Sequence, residues 1–125
     1  YFLNGDPYHC HCFKTTRLVR EKLGWTDDRM MLAFQSRFGK EEWLKPYLQD
    51  TVEGLPAKGV KNLAIICPGF SADCVETLEE INIGIRETFA EAGGENFTYI
   101  PCLNDSDDGM KAIETVVKRE LQGWV

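Results

Sequence analysis

The sequence predicts an α/β domain, a short parallel sheet of three to four strands flanked by helices in three layers, and three observations carry that reading. Apolar, β-rich segments at 30–35, 62–67 and 97–101 alternate with stretches patterned as helices. Strands that alternate with helices form βαβ units, joined right-handed, with the strands parallel. The middle segment, Asn62-Leu63-Ala64-Ile65-Ile66-Cys67, is almost continuously apolar, as a strand covered on both faces is. It breaks at Pro68-Gly69 and enters a helix through a short loop. Ligands of open parallel sheets bind at that edge, so chemistry is expected between Phe70 and Glu80.

Each element has its own signals. The chain opens on Tyr1-Phe2-Leu3-Asn4-Gly5-Asp6-Pro7-Tyr8, in which Asn-Gly and Asp-Pro are turn dipeptides. With no initiator Met, it reads as cut from something longer. Residues 12–23 are good helix formers closed by Gly24. Residues 30–35 make the first strand, ended by Ser36-Arg37-Phe38-Gly39. A loop with Trp43, Pro46 and Tyr47 follows, then a helix capped by Asp50-Thr51 and running to Lys58, where Gly59 stops it. After the strand at 62–67, a helix runs from Asp73 to Ala92, stopped by Gly93-Gly94. The strand at 97–101 leads into a capping cluster at 104–108. Met110, Ile113, Val117 and Leu121 then recur at helical spacing. Three parallel strands leave two open edges, so a further strand is expected upstream of Tyr1.

Composition narrows the function. The 125 residues are one domain, 1–125. Twenty acidic against fourteen basic residues give a net charge of -6, without a basic cluster interleaved with aromatics, which argues against nucleic acid as a partner. The longest apolar run, 63–67, is far short of a bilayer span, and no signal pattern opens the chain, so a cytoplasmic protein is expected. Five cysteines lack the spacing of a secreted disulfide framework, so reduced thiols are expected. His9-Cys10-His11-Cys12 has no second ligand pair of the kind zinc sites use. No compact run of iron-sulfur ligands is present either, and no resident cofactor is assigned.

On the helix from Asp73, Leu78, Ile81, Ile85 and Phe89 share one side and are expected to pack on the sheet, with Glu76, Glu80, Ile83 and Glu87 opposite. Glutamates near a helix N-terminus commonly form no more than a solvated face favoured by the helix dipole. Glu76 and Glu80, one turn apart, can also accept protons or hold a divalent metal. Trp43 and Phe70 each follow a strand. Each either plugs its own loop onto the core or joins the other in lining a flat apolar slot for a planar aromatic ligand.

Gly5-Asp6-Pro7-Tyr8, Phe34-Gln35-Ser36-Arg37-Phe38-Gly39 with Trp43-Leu44 and Pro46, and Pro68-Gly69-Phe70-Ser71-Ala72-Asp73-Cys74-Val75-Glu76-Thr77-Leu78-Glu79-Glu80 together resemble the ferrochelatase family in order and spacing. The resemblance is to the C-terminal half: it implies the second of two similar Rossmann-like lobes around a porphyrin cleft, the N-terminal lobe being absent from this chain. By that resemblance the full-length enzyme is a lyase that inserts Fe2+, its substrate, into protoporphyrin IX to form protoheme, the last step of heme biosynthesis. This lobe would hold half the active site and be inactive alone.

Glu76 then falls on a metal ligand or proton acceptor, and Glu80 on the next member of an acidic line. Trp43, Phe70, Asp73 and Cys74 fall beside the porphyrin. Cys74 stands where other relatives have His, and Gly84 where some continue the acidic line. The family's active-site histidine lies upstream of Tyr1; His9 and His11 do not match it. The partners implied are protoporphyrin IX, ferrous iron and the N-terminal lobe, with membrane contact only peripheral. A non-catalytic porphyrin-binding module and a cobalt-type chelatase are the alternative readings of the same residues.

Overall fold

The computed structural model describes residues 5–35 and 42–124. In chain order they form α1 (Tyr8–Leu23), α2 (Leu48–Gly54), β1 (Asn62–Ile66), a π-helix (Glu76–Ile85) running directly into α3 (Arg86–Glu91), β2 (Asn96–Ile100) and α4 (Asp107–Glu120). No helix among the described residues is long and apolar enough to cross a membrane.

The sheet has two strands among the described residues. β1 and β2 pair in parallel from Asn62 opposite Asn96 to Ile66 opposite Ile100, and the Asn96 side chain donates to Asn62 Oδ1 at 2.7 Å. The helix between them completes one βαβ unit. The expected strand at 30–35 forms no ladder: Phe34 alone makes a parallel bridge to Tyr47, donating to Pro46 O and accepting from Leu48 N, both at 2.8 Å. The pairing cannot lengthen there, because Pro46 has no N–H to give and α2 begins at Leu48. The expected turn at 36–39 lies outside the described residues.

Among the described residues the buried core lies on one face of the sheet. Val52 of α2 and Ile81, Ile85 and Phe89 of the crossover helix are buried against Leu63, Ile65, Phe97 and Tyr99, the alternate residues of both strands. Ala64, Thr98 and Ile100, on the opposite face, are exposed. On that side α4 stands across a groove from Ile66 and Ile100, so helices flank the short parallel sheet as expected.

Helix boundaries follow local chemistry. Asp6 accepts from Tyr8 N at 2.8 Å and starts α1 four residues earlier than helix formers alone predict. Gly24 closes it with φ 66°. Pro56, lacking an N–H, divides the expected helix to Lys58 into α2 and a short 3-10 turn, Pro56–Lys58. In α4, Ser106 Oγ accepts from Gly109 N at 3.1 Å, with acids in the first turn and Lys118 and Arg119 in the last.

Gly94 is required by a close approach. A Cβ there would stand 2.3 Å from the Phe89 ring, which is only 1% exposed. Gly94→Ala is expected to lower stability by about 1–3 kcal/mol, the usual cost of overpacking. Urea denaturation checks it, and an unchanged midpoint would show that the ring gives way freely.

Candidate active site

β1 and β2 end side by side, and their exit loops make the site's floor. The loop after β1 turns at once, with Phe70 N donating to Cys67 O at 3.0 Å. The loop after β2 brings Asn104 against it. Asn104 has φ 51°, the left-handed conformation that most L-residues avoid at a cost of roughly 1–2 kcal/mol and that Asn tolerates best. Its N–H donates to Ser71 O at 2.9 Å, its Oδ1 accepts from Asp73 N at 2.8 Å, and its Nδ2 donates to Asp73 Oδ2 at 2.8 Å.

Asp73 thus sits at a convergence of donors. Besides Asn104, it accepts from Tyr99 Oη at 2.5 Å, Thr77 Oγ1 at 3.0 Å and Cys102 N at 3.3 Å. Asn104 first, then Tyr99, hold its carboxyl far below the usual carboxylate range. Burial, with the bond to Asp73, pushes the Tyr99 phenol up. Both oxygens of Asp73 are engaged by the protein, which makes it the fastening of the helix that follows. Sequence reasoning missed Tyr99 and Asn104. Their only signal was that the residues leaving a strand at its carboxyl end include an Asn and a Tyr able to reach back to an acid.

A titration follows from this. Asp73 has a depressed folded pKa, so its contribution is present above the unfolded value, about 3.9, and is lost as pH falls through the folded one. Asp73→Asn in the full-length protein is expected to be less stable than wild type at pH 7, with the gap narrowing as pH falls below about 4. Urea midpoints at pH 7 and pH 3 measure it; a constant gap would contradict it.

Glu76 opens the π-helix. It is half-buried, its backbone carbonyl accepts from Gln35 Nε2 at 3.3 Å, and the Cys74 thiol, then its own backbone N–H, hold its carboxyl below the usual range. Gln35 therefore brings the segment before residue 36 to the helix start. Glu80 is exposed, four residues on. The π-helix explains the one misplaced core residue: its hydrogen bonds reach back five residues, so each turn is wider than an α-turn. Burial recurs every fourth residue, Thr77, Ile81, Ile85, Phe89, and Leu78, expected on that face, is 45% exposed. Thr77, 0% exposed, takes its place.

Phe70, half-buried, lies in a groove of about 680 Å³, mostly apolar, between the strand ends and α4, whose Ile113, Val116 and Val117 form the opposite wall. Trp43, also half-buried with its indole nitrogen buried, is outside the lining of that groove. The structure thus gathers Asp73, Cys74 and Glu76 at the helix start, with Phe70 in the groove beside the strand ends. Cys67 is pushed up to about 11, chiefly by burial, and Cys102 is raised for the same reason, so both stay protonated thiols at neutral pH. Cys10 and Cys12, two apart on α1, point to different sides of that helix. No group of three or more His, Cys, Asp or Glu side chains among the described residues is placed to share a metal ion.

The sequence matches the family model described as Ferrochelatase over residues 1–121. It is 62% identical over 125 residues to a ferrochelatase of Allorhizobium ampelinum, covering all of this chain and 36% of that protein. It is 60% identical over 125 residues to a ferrochelatase of Agrobacterium fabrum, covering 36% of it. To one of Mesorhizobium japonicum it is 60% identical over 121 residues, 97% of this chain and 34% of that protein. The chain spans about a third of the length of the curated relatives it matches.

Proposed function

The chain belongs to the ferrochelatase family, and from that we propose that the protein it comes from inserts ferrous iron into protoporphyrin IX to give protoheme, this lobe supplying part of the active site. The observation that carries the proposal is Glu76: a half-buried carboxylate, held below the usual range first by Cys74, on the first turn of a π-helix whose start is fastened at the carboxyl edge of the sheet. π-turns are rare and concentrate at functional sites.

Metal insertion asks three things of a protein. Water must be drawn from a hydrated ferrous ion, the ring must be held bent, and two pyrrole N–H protons must leave. A carboxylate whose pKa lies below the usual range is a poor store for a proton at neutral pH and a good oxygen ligand. Glu76 is therefore assigned to the incoming ferrous ion first, and to the departing protons only as the ion's charge is shared with the ring. Glu80, exposed one turn further, is assigned to passing protons or iron to solvent. Phe70 is assigned to an aromatic wall of the groove against which the ring is bent, Trp43, outside that groove, to the porphyrin side by the family resemblance alone, and Asp73 to holding the helix start. The remaining ligands and the opposing base are assigned to the other lobe. On this proposal the protein works in the cytoplasm and touches the membrane only peripherally.

The test is anaerobic. The full-length protein is given ferrous iron and protoporphyrin IX, and porphyrin fluorescence is followed together with the absorption of protoheme. Fluorescence lost as protoheme forms supports the proposal. Porphyrin bound without insertion of any metal would favour the binding module, and cobalt taken up in strong preference to iron would favour the cobalt-type chelatase.

A further inference from the structure

Resting on that functional reading, we infer that Asn104 is a positioning residue for metal insertion: its grip on Asp73 fixes how the π-helix enters the site, and so where the Glu76 carboxylate stands. Three features of the geometry support this. Asn104 closes a reciprocal pair with Asp73, accepting from its backbone N–H and donating to its side chain, both at 2.8 Å. It does so from φ 51°, a conformation glycine would adopt freely, so the side chain and not the backbone alone is what this position uses. The grip also acts away from the hydrophobic core. Ile81, Ile85 and Phe89 hold the later turns against the sheet, whereas the first turn, which carries Glu76, is tied down by polar contacts at Asp73, Cys74 and Thr77.

Thr77 transmits the grip. Its hydroxyl donates to Asp73 and accepts from Cys74 N, both at 3.0 Å, and Thr77 is the residue next to Glu76 on the first turn. Asn104 is 28 residues away from Glu76 in sequence, yet only two hydrogen-bonded steps, through Asp73, from Thr77, the residue next to Glu76. Tyr99 reaches the same carboxylate from β2. Losing Asn104 should therefore free the first turn while the packed remainder of the helix stays in place.

The experiment compares full-length wild type with Asn104→Gly, which keeps the backbone conformation and removes the grip, and with Tyr99→Phe, which removes one bond and leaves Asn104 untouched. Asn104→Gly is expected to lower kcat for iron insertion about 10- to 100-fold, the scale of a small misplacement of a reacting group, with KM for protoporphyrin within about twofold. Tyr99→Phe follows in the same direction with a smaller loss. Amides 73–78 exchange faster in Asn104→Gly, and those of β1, β2 and 85–91 do not.

Because the effect runs through Glu76, Asn104→Gly added to Glu76→Gln costs less than about twofold further. Equal losses in both backgrounds, or exchange raised throughout the domain, would mean general destabilisation and overturn the inference, as would a wild-type kcat in Asn104→Gly. An inactive wild-type protein would defeat the functional reading by itself. In that case unchanged exchange at 73–78 would still overturn the grip.

Discussion

Glu76→Gln in the full-length protein is expected to slow ferrous iron insertion by about 10²- to 10⁴-fold, the range usual for removing a positioned acid-base group. Glutamine keeps the size of the side chain and leaves the bonds among Asp73, Cys74 and Thr77 untouched, so the helix start should keep its shape. What disappears is the charge. A neutral amide neither compensates the ferrous ion as its water leaves nor takes a proton from the ring. Porphyrin affinity should change by less than about threefold, since affinity for the ring depends on its apolar faces. Initial rates under anaerobic conditions, with porphyrin binding measured separately by fluorescence, decide the matter. An undiminished rate would remove Glu76 from the chemistry and leave the family assignment without a mechanism in this lobe.

The largest stability effect is expected at Phe89. Its ring is 1% exposed, lies 6.2 Å from that of Phe97 at a 52° tilt, and has Gly94 pressed against its edge. Phe89→Ala leaves a cavity at the junction of α2, α3 and the sheet, and is expected to cost about 3–5 kcal/mol, as large-to-small changes of a buried aromatic do. That is a large part of what a single domain has to spare. Urea denaturation should show the midpoint fall without a change in slope. A loss under about 1 kcal/mol would mean that the neighbouring helices collapse onto the space.

Much of this architecture was legible because it rests on local chemistry. Gly24, Gly59 and Ser106 mark their boundaries as the backbone requires, whereas Pro56, read as lying inside a helix, ends one. The alternation of strand and helix around 62–100 reads directly as a βαβ unit. The first strand did not survive, because an apolar run reports burial and not pairing: Phe34 is buried, 6% exposed, yet its neighbour offers a proline. Leu78 was misplaced by a step of 3.6 residues, although Thr77, Ile81, Ile85 and Phe89 stand four apart. Thr77 was passed over because a hydroxyl is not expected in a core, and only the fold shows that it bonds to Asp73. At the site, Asp73, Cys74 and Glu76 could be picked out together because they are neighbours in sequence. Asn104 could not, since its contact spans 31 residues.

The four-residue step of the π-helix has a bearing on how such a protein can change over time. Rows of residues four apart wind one way around the axis of a helix of 3.6 residues per turn and the other way where hydrogen bonds reach back five residues, so a π-helix that runs into an α-helix lets the two drifts offset. Here Glu76, Glu80 and Gly84 form one file and Thr77, Ile81, Ile85 and Phe89 the next, and the two keep their distance. A Cβ at Gly84 would meet only Glu79 O, at an ordinary 3.6 Å. The file proposed to carry the chemistry can therefore be rewritten, lengthened or blunted one residue at a time while the neighbouring file goes on holding the lobe together, so the fold and the proposed chemistry can change separately.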